Sequence, residues 1–305
     1  MTNEQLSKEL GRHRMLAAAG RLLSFASIAE ILVCIFMQEI WFILLGIIAG
    51  GIGTCLERKH REAVKHMLGD EVIGGVLREM LEQVEYQPFG HLPEAAVKDS
   101  HLELPFGYDR IKGSDYVRAV YRGLNIEFSD IELFQVESTW DEEMNNWKEN
   151  EKRVFQGQWL VCDYGRELSA EVKLMPRTNE ALRRRFKGQD IQTGHEMFDR
   201  RFILISENGQ EARNFFSPRR MDFLLAMADK SGGEVYLSLQ QSGRLNIAVQ
   251  SGRNFFELGR GEVDITQLRS NFIGEVRWFT DVIEQMNPED IGFMVQAQGI
   301  SGGIQ

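Results

Sequence analysis

Residue sets able to do chemistry are sparse in this chain, and most are incomplete. His195-Glu196 sets an imidazole beside a carboxylate, but the second histidine that a helical zinc site requires is missing. His13, His60, His66, His91 and His101 are scattered and form no ligand set. The sequence has no GxxxxGK(S/T) phosphate loop, no GxGxxG between strand and helix, no HExxH and no GxSxG elbow. Asp109, Asp115 and Asp163 offer carboxylates for general acid–base work, as any acidic domain of this size does. Cys162 lies among Trp159, Leu160 and Val161, the setting of a core thiol rather than a nucleophile. Arg183, Arg184, Arg185 and Lys187 form a basic run with two readings: a solvated helical face, or a contact for phosphate or lipid headgroups. No catalytic, cofactor-binding or metal-binding residue is assigned on these grounds. No cofactor is expected, and the sequence weighs against an enzyme.

The element that would position all of this is an apolar tract between Met15 and Cys55. A membrane-spanning helix needs roughly 20 mostly apolar residues. Met15–Met37 meets that length, and Ile40–Cys55, reaching about 24 Å at about 1.5 Å per residue, nearly does. Gln38-Glu39 between them fits a turn, with Trp41 beside it at the interface. Lys8, Arg12 and Arg14 precede the tract, and Arg58, Lys59, Arg61 and Lys65 follow it. Basic flanks mark the cytoplasmic side, so two spans with both termini inside are expected, in preference to a single span or a signal peptide. A buried helical hairpin in a soluble protein is the remaining alternative.

Within the tract, Glu30 is costly, roughly 3 kcal/mol at the centre of a span. It reads either as an oligomer or partner contact, or as a charge tolerated within reach of the interface. Gly46-Ile-Ile-Ala-Gly50, extended by Gly53, has the small-residue spacing that lets helix backbones approach. Packing within the hairpin and dimerisation both fit it. A homo-oligomer therefore stands as an expected partner state, beside the lipid bilayer.

The net charge of −10 belongs to the chain after Cys55, because Lys8, Arg12, Arg14 and Arg21 balance Glu4, Glu9, Glu30 and Glu39 before it. An acidic domain is repelled by nucleic acid, which is not expected as a partner. Cys34 and Cys55 lie in the apolar tract and Cys162 stands alone, so no disulfide staples the later part.

Helical periodicity runs from Leu56 to Val84, weakened at Gly69 and Gly74-Gly75, as a stalk. Prolines at 88, 93 and 105 argue for a loop from Gln87 to Gly107. Strands are expected at 114–121, 124–138, 154–164 and 168–174, the last two pairing around Gly165. The charged stretch 141–152 is expected as a hairpin loop. A basic helix over 177–187 and a strand over 198–206 follow. Ser217-Pro218 opens a helix that Gly232-Gly233 ends, and a hairpin joins 235–239 to 245–249. The periodicity of 265–286 predicts a helix across the sheet. The reading is α+β: a cytoplasmic N-terminus (1–14), a transmembrane helical hairpin (15–55), a helical stalk (56–86), a mostly antiparallel β-sheet domain packed with helices (87–288) and a flexible tail (289–305).

Several stretches carry a resemblance: Gly90-His-Leu-Pro-Glu-Ala-Ala, Gly107-Tyr-Asp-Arg-Ile-Lys-Gly-Ser-Asp-Tyr-Val, Ile126-Glu-Phe-Ser-Asp-Ile-Glu-Leu, Val154-Phe-Gln-Gly-Gln-Trp-Leu-Val-Cys-Asp-Tyr and Phe216-Ser-Pro-Arg-Arg-Met. Over roughly residues 55–285 the chain resembles the bacterial membrane-anchored family called domain of unknown function 3137. The resemblance implies a bacterial inner-membrane protein with no established activity, and a LemA-type membrane protein as a partner. It assigns no active residues. Two functions are expected in competition. One is a membrane-anchored cytoplasmic interaction or scaffold module of a membrane or envelope complex, with Trp140, Trp147 or Trp159 as docking groups. The other is a membrane-tethered hydrolase or small-ligand sensor with a pocket between sheet and helix.

Overall fold

A computed structural model describes residues 3–37, 40–141, 146–257 and 264–288. Gln38-Glu39 and residues 289–305 lie outside them, and so do the expectations of a turn and a tail. The chain begins with helices α1 (Asn3–Met37) and α2 (Ile40–Met67), a π-helical stretch (Leu68–Ile73) and α3 (Gly74–Met80). Strand β1 (Glu82–Gln87), the short helix α4 (Glu94–Lys98) and strands β2 (Arg110–Tyr121), β3 (Leu124–Asp141), β4 (Asn146–Asp163) and β5 (Val172–Pro176) come next. Helices α5 (Glu180–Arg185) and α6 (Glu196–Arg201), strand β6 (Phe202–Ser206) and helices α7 (Gly209–Phe215) and α8 (Pro218–Ser231) follow. The chain continues with β7 (Glu234–Leu239), β8 (Arg244–Gln250) and α9 (Ile265–Gln285). The fold is α+β, in two compact units.

The first unit comprises residues 1–79 and 256–274. Helices α1 and α2 run antiparallel, since His13 meets His60, Arg21 meets Glu57 and Ser27 meets Gly50. Past Met67 the helix widens into the π-helical stretch, and the N–H of Gly74 donates to the carbonyl of Gly69, five residues back. Such widening is a known way for a helix to accommodate a local insertion. Leu68, Val72, Ile73, Val76 and Leu77 are buried here, as are Ile265, Leu268 and Phe272 of α9. Arg269 pairs with Glu79, and Phe256 meets Phe272 edge-on at 5.7 Å.

The second unit comprises residues 80–255 and 275–305. Its eight strands form one antiparallel sheet in the order β1-β2-β3-β4-β8-β7-β5-β6. Period-2 alternation splits the side chains between two cores. On one face Phe128 stacks on Phe279 of α9 with ring centroids 3.9 Å apart. On the other, Tyr116, Leu133, Phe155, Trp159 and Val161 pack with Leu182 and Phe186. Strands β7 and β8 are buried almost throughout, which is why 235–239 and 245–249 read as continuous apolar runs. Gly157 is obligatory: a Cβ there would lie 1.9 Å from the Val249 carbonyl oxygen on β8. Helix α8 begins with Pro218 after Ser217 and ends at Gly232 in the left-handed conformation.

Several expectations are corrected. Helical periodicity stops at Met80, and Val84 lies in β1, because pairing with β2 overrides a spacing that fits either state. Residues 146–152 belong to β4 rather than to a loop, and Trp140 and Trp147 face each other in register. Strand β5 pairs with β6 and β7, while β4 pairs with β8. The expected strand over 198–206 opens as helix α6, because His195 caps it by accepting from the Phe198 N–H. The proline-rich stretch 87–107 contains α4. The basic helix is shorter than 177–187, starting after the capping Asn179.

Candidate functional site

Small side chains form the seam between α1 and α2. A methyl at Gly50 would lie 2.7 Å from Ser27 Oγ, one at Gly53 2.7 Å from the Gly20 carbonyl oxygen, and one at Gly46 2.7 Å from Ile31 Cγ1. Away from the seam Leu22, Phe25, Ile28, Phe42, Ile48 and Ile52 are exposed. Both helices are long and apolar enough to cross a membrane. Glu30 is half-buried on α1 and has no hydrogen-bond or ion-pair partner among the described residues. At the charged end of the pair, Arg21 meets Glu57 at 2.8 Å, and His13 Nδ1 lies 2.8 Å from His60 Nδ1. Desolvation, with the charges of His13, Lys59 and Arg12, holds the His60 imidazole below its usual range.

The three candidate acid–base carboxylates are not assembled. The N–H of Asp109 bonds the Phe134 carbonyl, whereas Asp163 sits opposite Asn125, about nine residue steps or roughly 30 Å along β3. Asp115 lies buried in the β2 bulge, with φ at +59°, accepting from Tyr86 Oη at 2.6 Å and Ser114 Oγ at 2.7 Å. Sequence reasoning missed its buried neighbour Asp130, which accepts from Gln158 Nε2 at 3.0 Å and from the Phe255 N–H at 2.8 Å. Burial pushes the Asp130 carboxyl well up, and the Asp115 charge adds to this. Cys162 is buried and its thiol is pushed up to about 12, which leaves no thiolate for nucleophilic work near neutrality. Among the described residues no group of three or more His, Cys, Asp or Glu side chains could hold a metal ion.

The basic run is divided by its neighbours. Arg184 pairs with Glu180 one turn back, while Arg183 and Lys187 are exposed. Arg185 reaches Glu103 at 3.2 Å and lies over the Phe186 ring at 5.2 Å. Arg185 thereby joins a chain of charges: Glu103 also takes Lys173 at 2.9 Å, and Lys173 lies 3.7 Å from Glu171, which meets His101 at 2.7 Å. Four of these five residues line an open cleft of about 630 Å³, with Phe186 and Ile205 as apolar wall and Ser206, Gln240 and Ser242 at the rim.

Two further features were outside the reach of sequence reasoning. Beyond Phe134, β3 pairs with β4 alone, and the two strands continue as a ribbon for about seven residues, roughly 23 Å. Near its end Trp140 and Trp147 meet edge-on with centroids 5.4 Å apart, yet stay 47% and 66% exposed. Trp159 is wholly buried. The second feature is a cavity of about 490 Å³ at the start of α8, walled by the β2–β3 turn and the end of α9. It is lined by Arg122, Arg219 and Arg220 against Glu284. Arg220, 5% exposed, donates to the carbonyls of Phe215 at 2.8 Å, Gln285 at 2.7 Å and Asn287, so it ties together the ends of α7 and α9.

A family model described as a protein of unknown function, DUF3137, matches residues 153–288. Of the stretches that carry the resemblance, 154–164 and 216–221 fall inside the match; those between 90 and 133 and the helical pair fall before it. No curated protein matches the chain. The crystal structure of the mycobacterial trehalose monomycolate transport factor A is similar at 13% identity, covering 72% of this chain and 96% of that one, with a TM-score of 0.36, too slight to carry an argument. Across the matched stretch, from within β4 to just past the end of α9, this chain resembles the DUF3137 family.

Proposed function

We propose that this chain is a membrane-anchored interaction module. Helices α1 and α2 cross the bacterial inner membrane as a hairpin, both termini lie in the cytoplasm, and the sheet unit serves there as a docking platform in a membrane or envelope complex. The observation that carries this reading is the apolar surface left exposed on the paired helices. Burying one such side chain is worth roughly 1.5–3 kcal/mol, so a belt of them facing water would be a large loss that lipid removes. The exposed Trp140–Trp147 pair supports the docking role, because aromatic side chains anchor interfaces. A homo-oligomer through Glu30 and a LemA-type membrane protein are the partners proposed; the acidic charge disfavours nucleic acid.

Crosslinking from native membranes tests the reading, with photoreactive groups at positions 140 and 147. A discrete adduct made by the anchored chain and lost without residues 1–55 is the expected result. The same pattern from a group at exposed Glu196 would refute the docking role. One observation favours a second reading, a tethered hydrolase or small-ligand sensor: the open cleft flanked by His101, Glu171 and Lys173.

A further inference from the structure

We infer that the cavity at the start of α8 binds a phosphate group. The chain is acidic, with net charge −10, yet this cavity presents three guanidinium groups and one carboxylate. That carboxylate, Glu284, is already engaged by Arg122 at 3.1 Å and by the Tyr121 hydroxyl. Arg220 is spent on backbone carbonyls and fixes the wall. Arg219 is exposed and has no partner among the described residues, and Arg122 is 71% exposed at its side chain.

Two separate segments deliver these groups. Arg122 sits at φ +50° in the β2–β3 turn, which Gly123 completes at φ +80°. Arg219 comes from the Ser-Pro-Arg-Arg segment that opens α8, where the Ser217 side chain makes no capping hydrogen bond. Planar guanidinium forks match the oxygens of phosphate, and the positive end of α8 adds to an attraction that the arginines already supply. The volume admits a phosphate with a small organic group attached. The source is either a free phosphate or a phospholipid headgroup. The inference does not depend on the docking ribbon, and only its headgroup arm rests on the anchor.

The test uses the full chain in phosphatidylcholine nanodiscs. Inorganic phosphate is titrated at constant ionic strength against chloride, and binding is followed by calorimetry. A second arm replaces part of the phosphatidylcholine with phosphatidic acid and follows protection of the cavity from hydrogen exchange. Saturable binding in either arm is expected, weakened about tenfold or more by Arg219→Ala or Arg122→Ala, since a charge-assisted contact is lost. Arg183→Ala, in the exposed basic run, leaves it unchanged. Response to phosphate alone identifies a free ligand; response to phosphatidic acid alone identifies a headgroup. Absence of saturable binding in both arms, binding indifferent to Arg122 and Arg219, or equal loss with Arg183→Ala would overturn the inference.

Discussion

Replacing Asp130 by Ala removes a tie among three parts of the second unit. The side chain is 3% exposed and joins β3 to Gln158 on β4 and to the backbone of Phe255 after β8. Its loss removes the acceptor that the Phe255 N–H meets at 2.8 Å, while Gln158 Nε2 keeps its bond to the Arg253 carbonyl at 2.7 Å. A buried unsatisfied group costs about 1–3 kcal/mol and each lost bond to a charged partner about 1.5–3, which gives a loss of about 2–4 kcal/mol after partial overlap. Part is regained, because ionised Asp130 is itself penalised by burial. A raised folded-state pKa means that this penalty is absent below about pH 3.9, the unfolded value, and grows as pH rises towards the folded value. The deficit of Asp130→Ala relative to the parent is therefore largest at and below about pH 3.9 and narrows as pH rises from there towards the folded value. Native-state hydrogen exchange at the Phe255 amide reads this locally: protected in the parent, open in the variant. A protected Phe255 amide with under about 0.5 kcal/mol of destabilisation, below the range for a buried bond, would refute the reasoning.

Two other perturbations address the helical pair. Gly53→Ile puts a Cβ 2.6 Å from Ser24 Oγ and 2.7 Å from the Gly20 carbonyl oxygen, so the helices must separate, at a cost of about 1–3 kcal/mol. Spin labels on α1 and α2 should report a wider separation, and unchanged distances would contradict the seam. Lowering pH should loosen the charged end of the pair: His60 has a depressed pKa, so stability held above about pH 6.5 is lost as pH falls below it. Hydrogen exchange around His13 and His60 should rise in acid, His13→Gln should flatten that rise, and a pH-independent profile would dismiss the effect.

Local chemistry made parts of the fold legible. Ser217-Pro218 and Gly232 bracket α8, helical periodicity gives α9, and continuous apolar runs give β7 and β8. What stayed hidden depends on distant partners. Strand β1 carries a spacing compatible with helix, and only β2 makes it a strand. The outer part of β4 lacks an apolar face because it covers no core, so it reads as loop although β3 pairs with it throughout. For the sites, the basic run 183–187 was visible, but Arg185 belongs to a charge chain with residues about eighty positions away. The phosphate cavity joins a turn at Arg122 to a helix start at Arg219, and nothing local links them. Asp130 was overlooked because an isolated Asp in an alternating strand gives no sign of burial from both sides.

Everything proposed about location rests on the helical pair lying in lipid. The most direct measurement combines alkaline carbonate washing of membranes with protease added outside intact, outer-membrane-permeabilised cells. The account predicts that the full chain stays with the pellet through the wash and that the sheet unit is cut only after the inner membrane is opened. Release of the intact chain into the wash, or digestion of the sheet unit while the inner membrane is sealed, would contradict it.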